Sequence, residues 1–259
     1  DTDLVVFDPE RPTLAPEPLP LVNGPAHELA PALAADGSLW FASDRPGGVG
    51  GYDLWRAPPR GRGVAAPQPV VSCNTAHDET DPAPGPDGLL VFVRLDAAGG
   101  GAADGALWCW HGGEQDPLPL VPAGAKQPQA GRDPVFAAHG AALWFVQRRG
   151  AALSVWRTSR LGTTFDAPVE LSTAWPAHDL RSPLPIDRDR SLVLVSARGE
   201  QERVLYYAAG SRELLPWWPG QRWLVWLCAS LAVVSVVLLL LLHFGRRWAA
   251  LDLLAQCLL

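Results

Sequence analysis

The sequence contains no methionine and a single lysine, Lys126, while alanine and arginine abound. That imbalance reads as the codon bias of a GC-rich, bacterial genome rather than as chemistry. The lack of methionine, with a start at Asp1 just before the apolar stretch "DLVVF", leads to the expectation of a processed or excised piece. The four cysteines, Cys73, Cys109, Cys228 and Cys257, make no CxxC pair, so the spacing of zinc sites and thioredoxin-like motifs is missing. No basic stripe offsets the net charge of -6, which argues against nucleic acid, a partner held through its phosphates. There is no G-x-S-x-G elbow, no H-E-x-x-H, no EF-hand loop and no GxxxxGK[ST] loop. These absences count against hydrolases of familiar type and leave no catalytic residue to name. An enzyme whose site is assembled from separate repeats is the third reading in order.

What is present is apolar and heavily punctuated. Hydrophobic residues make up 48% of the chain, enough to bury a core, and 26 prolines and 25 glycines break them into short runs. That is the composition of many short strands, so the fold class expected is all-β.

One run is different. From Trp223 to Leu242 stretches "WLVWLCASLAVVSVVLLLLL", twenty residues without a charge, which as a helix rising 1.5 Å per residue matches a hydrocarbon layer of about 30 Å. Trp217, Trp218, Trp223 and Trp226 gather before and at its start, and His243, Arg246, Arg247 and Trp248 follow its end, the pattern of an aromatic belt and positive-inside flanking. The expectation is one transmembrane α-helix over 223–244, reached by a juxtamembrane linker at 217–222, with the preceding domain facing outward. Residues 245–259 read as an amphipathic segment on the cytoplasmic side or the opening of a second span.

Residues 1–216 carry a repeat of about fifty residues. "ELAPALAADGSLWFAS" at Glu28 and "ETDPAPGPDGLLVFVR" at Glu79 place Glu, Pro, Asp-Gly and an apolar run in register 51 residues apart. A third copy keeps Pro134, Gly140 and Trp144-Phe145 but has His139 for the aspartate, and a fourth keeps Pro183 and Asp187. Each copy adds a second strand centred on Trp55, Trp108, Trp156 or Tyr206, at steps of 53, 48 and 50 residues, and a further strand-like piece. Four-stranded units of this length are propeller blades, because one small twisted sheet must stack on neighbours to cover its faces. The repeats expected are about 24–75, 76–122, 123–172 and 173–215. Residues 1–23 align with the second half of a blade, and further blades upstream are the favoured reading. The tryptophans at 40, 55, 108, 144 and 156 are expected between blades. Trp110 and Trp175 fall outside that pattern.

The segment "ELAPALAADGSLWFASDRPGG" with "YDLW", followed by "SCNTAHDETDPAPGPDG", resembles the TolB-like, WD-repeat-like propeller repeats of bacterial envelope proteins. The resemblance covers most of residues 1–215 and implies a β-propeller of four or more four-stranded blades whose role is mostly binding. It fixes fold better than function. The glycine cluster "PGGVGG" at 46–51 falls between the second and third strands of a blade. It therefore reads as a hairpin loop held by Ser43, Asp44 and Arg45, not as a phosphate cradle, which would need a helix N-terminus.

Polar groups gather where blades begin: His27 and Glu28; His77, Asp78, Glu79 and Asp81; Arg132 and Asp133; His178, Asp179 and Arg181. Imidazoles and carboxylates together suit a metal or a basic peptide. The plainer alternative is turns and ion pairs joining adjacent blades, and the repeat pattern favours it. No metal or other cofactor is assigned, and these segments are candidates for polar contact with a partner. A disulfide between Cys73 and Cys109 is left open, since sequence gives no distance between them. The function expected is a membrane-anchored, non-catalytic binding or scaffold module of the bacterial envelope. Its propeller, outside the cytoplasm, engages a protein or cell-wall component, and 223–244 engage the bilayer. The alternative is the ligand-sensing ectodomain of a signalling protein.

Overall fold

The computed structural model describes residues 2–7, 11, 13–61, 63–95, 105–150, 152–171, 179–186, 191–198, 201–208 and 215–216. The chain divides into two units, Asp1–Pro216 and Trp217–Leu259. The span expected over 223–244 lies outside the described residues, and among the described residues no helix is long and apolar enough to cross a membrane.

The first unit is built from antiparallel strands. β1 (Val5–Val6) pairs with β2 (Glu17–Pro18), the outer half of a first blade. Blade II runs from inside outward through β3 (Glu28–Leu33), β4 (Leu39–Ser43) and β5 (Asp53–Ala57). A short ribbon of β6 (Pro59–Arg60) and β7 (Gly63–Val64) precedes its outer strand β8 (Gln68–Pro69). Blade III is β9 (Asp78–Pro84), β10 (Leu90–Leu95), β11 (Gly105–Trp110) and β12 (Leu118–Pro119). Blade IV is β13 (Ala130–Phe136), β14 (Ala142–Arg149) and β15 (Ala152–Leu161), then β16 (Thr164–Phe165) extending the hairpin and β17 (Val169–Glu170) as the outer strand. Blade V is β18 (Asp179–Ile186), β19 (Ser191–Arg198), β20 (Gln201–Ala208) and β21 (Leu215–Pro216). Blades III and IV are also joined through β11 and β13, at Gly105 opposite Gly131 and Ala106 opposite Ala130.

The arrangement about an axis follows from where the apolar side chains go. Strand alternation sends Trp40 and Phe41 to opposite faces of blade II. Phe41 and Trp55 pack with Leu4 and Val22 of the first half-blade, while Trp40 and Leu54 pack with Leu90 and Phe92 of blade III. Val91, Val93 and Leu107 of blade III meet Leu143 and Phe145 of blade IV. Trp144, Val146 and Val155 of blade IV meet Leu180, Leu192 and Leu194 of blade V. Each core cluster lies between two successive sheets, so no sheet shields itself. Phe41, Phe92 and Phe145, equivalent in the repeat, are wholly buried. The inner strands β3, β9, β13 and β18 touch in that order, so the sheets stack radially as blades of a β-propeller.

The repeat is finer than its sequence signature. In the half-blade the side chain of Asn23 bridges Leu4, accepting from its N–H at 3.1 Å and donating to its carbonyl at 2.8 Å. Asn74 does the same to Leu54 at 2.9 and 3.1 Å. In blade III the backbone takes over: Leu107 N–H donates to the Gln129 carbonyl at 2.8 Å. Where the third copy lacks Asp-Gly, His139 and Gly140 adopt φ of 71° and 67°, close to the 58° and 74° of Asp87 and Gly88, so the same turn forms.

The glycine cluster is the hairpin loop between β4 and β5. The Asp53 carboxylate accepts the Val49 and Gly50 N–H groups at 2.8 and 3.1 Å. A Cβ at Gly48 would collide with that carboxylate, and one at Gly50 would strike the carbonyls of Thr75 and His77. Close approach to the Asp53 carboxylate and to the neighbouring backbone requires the glycines here.

Candidate functional site

The inner strands run from a leading face, where blades begin, to a trailing face at the β3–β4 type turns. Each carries one distortion. Ala30, Asp81, Asp133 and Ser182 have φ of 49°, 49°, 47° and 48°, and each precedes a proline. Residues before proline ordinarily take extended backbone, and a non-glycine residue held in this region costs about 1–3 kcal/mol. The ladder shifts register at each of these positions, a bulge repeated in all four inner strands.

The bulges bring two carboxylates to the axis. Asp81 Oδ2 accepts the Asp133 N–H at 3.3 Å, and Asp133 Oδ2 accepts the Ser182 N–H at 3.1 Å. The result is a relay that passes from blade III to IV to V. Blade II has Ala30 at this position and contributes no carboxylate. The residues 30–33, 81–84, 133–136 and 182–184 line an axial cavity of about 580 Å³. Burial, then the charge of Asp133, pushes the Asp81 carboxyl up to about 6, against the opposing effects of the Asp133 N–H and Arg132.

The blade-start glutamates do something else. Glu28 and Glu79 are buried, 2% and 0% exposed. Glu28 Oε1 accepts from Arg45 at 2.7 Å and from Ser43 Oγ at 3.3 Å, and the same Arg45 nitrogen donates to the Val22 carbonyl at 2.6 Å. Glu79 Oε1 accepts from Arg94 Nε at 2.8 Å, and Arg94 also donates to the Cys73 carbonyl at 2.9 Å, with its guanidinium 4.0 Å from the Trp108 ring centroid. Val22 and Cys73 end equivalent outer segments. Each arginine thus staples the close of one blade to the start of the next. In blade IV the glutamate position is Gly131, and Gln129 bonds Gln147 at 3.1 Å instead; in blade V it is the buried Leu180.

The remaining candidates are dispersed. The His27 N–H donates to Asp44 Oδ1 at 2.7 Å, and its ring lies 3.4 Å from Thr2 Oγ1. The His77 N–H donates to Thr75 Oγ1 at 3.2 Å, and Asp78 Oδ1 accepts the Tyr52 N–H at 2.9 Å. Arg132 is half-buried beside the axis and Arg181 is exposed. His178 and the Asp179 side chain lie outside the described residues. Of the eleven blade-start residues proposed from sequence, Asp81 and Asp133 are joined by a hydrogen bond at the axis. Among the described residues no group of three or more His, Cys, Asp or Glu is placed to hold a metal. Cys73 and Cys109 are both free, and burial pushes each thiol up to about 12, which makes them inert as nucleophiles at neutral pH.

Sequence reasoning missed the relay, Arg45 and Arg94 as staples, and the paired asparagines. The Asn residue following Val22 and Cys73, 51 residues apart, was the available signal.

No family model matches the chain, and no curated protein matches it. Solved structures do. A puromycin-hydrolyzing peptidase from Mycobacterium tuberculosis aligns at 17% identity with a TM-score of 0.51, over 83% of this chain and 35% of its own. TolB from Acinetobacter baumannii aligns at 15% identity and 0.49, over 72% and 44%. A thermostable family-43 glycoside hydrolase aligns at 11% and 0.45, over 77% and 74%. The chain therefore spans less than half the length of the TolB and peptidase chains. Similarity at such identity concerns fold alone.

Proposed function

We propose that this chain is a non-catalytic, TolB-like propeller module of a bacterial envelope, held at a membrane by 223–244, that presents its leading-face loops to a protein or cell-wall partner. The observation supporting this reading most directly is the use made of the leading-face charges. Glu28 is bonded to Arg45 and Glu79 to Arg94, and both arginines bond backbone across a blade junction, an arrangement that rigidifies the loops. Val49, 62% exposed in the β4–β5 loop, stands on that face.

The test uses a photo-crosslinking residue in the full chain, expressed in a bacterium and fractionated. With the probe at Val49, a discrete adduct with an envelope protein or with peptidoglycan is expected in the membrane fraction. With the probe at Leu161, 78% exposed at the opposite end of its strand, none is expected. A soluble chain, or adducts independent of probe position, contradicts the proposal.

A sensor is the second reading, and the axial cavity with its two carboxylates supports it. It predicts that a small ligand alters the Asp81 environment without any protein adduct at Val49.

A further inference from the structure

The junction between blades II and III differs from the next one at the trailing face. Between III and IV the space is filled. Pro86 stands where a Cβ on Gly140 would lie, and Arg160, its side chain 11% exposed, reaches over toward Asp87 at 3.9 Å. Between II and III a groove of about 760 Å³ stays open. Its wall includes Gly113, where a Cβ would meet nothing within 4 Å, and Gly112, where it would meet only a backbone carbonyl at 4.0 Å.

Trp40 and Trp110 both line this groove, and Trp110 is one of the two tryptophans that stand outside the repeat. Their indole N–H groups are already engaged, Trp40 Nε1 with Ser38 Oγ at 3.2 Å and Trp110 Nε1 with the Gln115 carbonyl at 2.9 Å. Trp40 is 8% exposed and carries the Arg56 guanidinium 5.5 Å from its ring centroid, so the ring surface offered to a ligand is that of the half-buried Trp110. Beside them the half-exposed pair Arg56 and Asp36, 2.8 Å apart, supplies donors and an acceptor of opposite charge. Hydrogen bonds from Ser38, foremost its hydroxyl, hold the Asp36 carboxyl below the usual range. The exposed Gln68 amide adds one more donor and acceptor.

A proline-rich peptide docks across a series of open aromatic rings, and of the two rings lining this groove Trp40 is buried, which leaves Trp110. A net-charged ligand would meet one like charge of the Arg56–Asp36 pair. A neutral ring bearing hydroxyls on its rim and C–H groups on its face complements ring surface, donors and acceptors together. We propose that the groove between blades II and III is a binding site for a neutral oligosaccharide, stacked on Trp110 and hydrogen-bonded to Arg56, Asp36 and Gln68. This site lies on the trailing face and stands or falls independently of the leading-face reading above.

The test is titration of the full chain with chitotetraose and with cellotetraose, followed by tryptophan fluorescence and calorimetry. A decaproline peptide is the competing probe. Saturable binding of one sugar is expected. Trp110→Phe, which loses the bond to Gln115 but keeps a ring, is expected to bind within about threefold of wild type. Trp110→Ala is expected to bind about tenfold more weakly, the size of a lost stacking contact. Gln68→Ala, at an exposed position, separates loss of binding from loss of fold and is expected to weaken binding severalfold. Binding of neither sugar, wild-type affinity in Trp110→Ala, equal loss in the Phe and Ala variants, or binding of decaproline alone overturns the proposal.

Discussion

The II/III and III/IV junctions solve one packing problem with different polar chemistry. Both bury a repeated phenylalanine, Phe92 in one and Phe145 in the other, among aliphatic side chains from two sheets. At II/III the leading face is closed by Glu79, Arg94 and the Cys73 carbonyl, the axial position is Ala30, and the trailing face is open. At III/IV the glutamate is gone and Gly131 stands in its place. The axis is bridged by Asp81 to the Asp133 N–H, and the trailing face is filled by Arg160. The apolar stacking is common to both, while the polar closures are interchangeable means of holding neighbouring blades in register.

If so, the apolar substitutions should be nearly equal and the polar ones junction-specific. Phe92→Ala and Phe145→Ala are each expected to cost about 3–5 kcal/mol in denaturant unfolding. A difference between them larger than that spread would mean that one junction does not rest on its apolar contact. Arg94→Ala removes the cation from the buried Glu79, and is expected to cost about 3–5 kcal/mol. Gln147→Ala, the blade IV counterpart, breaks only a neutral bond and should cost about 1 kcal/mol in the same measurement.

The axial relay adds a pH dependence that the II/III junction lacks. The Asp81 carboxyl is raised to about 6 in the folded chain, above the ordinary 3.8. Its ionisation therefore opposes folding. The penalty is complete above pH 6, shrinks as pH falls from 6 toward 4, and is absent below the unfolded value, with a ceiling of about 3 kcal/mol. Asp81→Asn keeps an acceptor for the Asp133 N–H and removes the charge. It is expected to be more stable than wild type at pH 8 and to flatten the stability profile between pH 4 and 6. Asn74→Ala strips the bridge from Leu54 and should cost about 1–2 kcal/mol.

Much of the framework was legible because it is written in side-chain type. The period near fifty, four strands per repeat, the tryptophans between blades and the glycine hairpin all depend on apolar alternation and turn chemistry, which leave local traces. Trp40, Trp55 and Trp144 are buried at blade junctions, and Trp108 and Trp156 pack partly against the same cores. The axial relay left a trace that pointed the wrong way. Proline after Asp81 and Asp133 signals extended backbone, whereas the strands turn both residues to positive φ, and their carboxylates meet the next blade's backbone. The staples were hidden for another reason. Arg94 sits on β10 opposite Glu79, but Arg45 lies two residues beyond the matching position, Ser43, and reaches back, so no register in the repeat pairs the two arginines. The missing aspartate of the third copy weakened the match only in sequence, since His139 adopts the same turn.

The central claim, that successive sheets share an axis, is tested most directly by following the amide resonance of Asp133 against pH. Its N–H is bonded to a carboxylate 52 residues earlier in the chain. The expected result is a chemical-shift titration with a midpoint near 6 that disappears in Asp81→Asn. An Asp133 amide indifferent to Asp81 would contradict the stacking of blades III and IV about one axis, and with it the propeller.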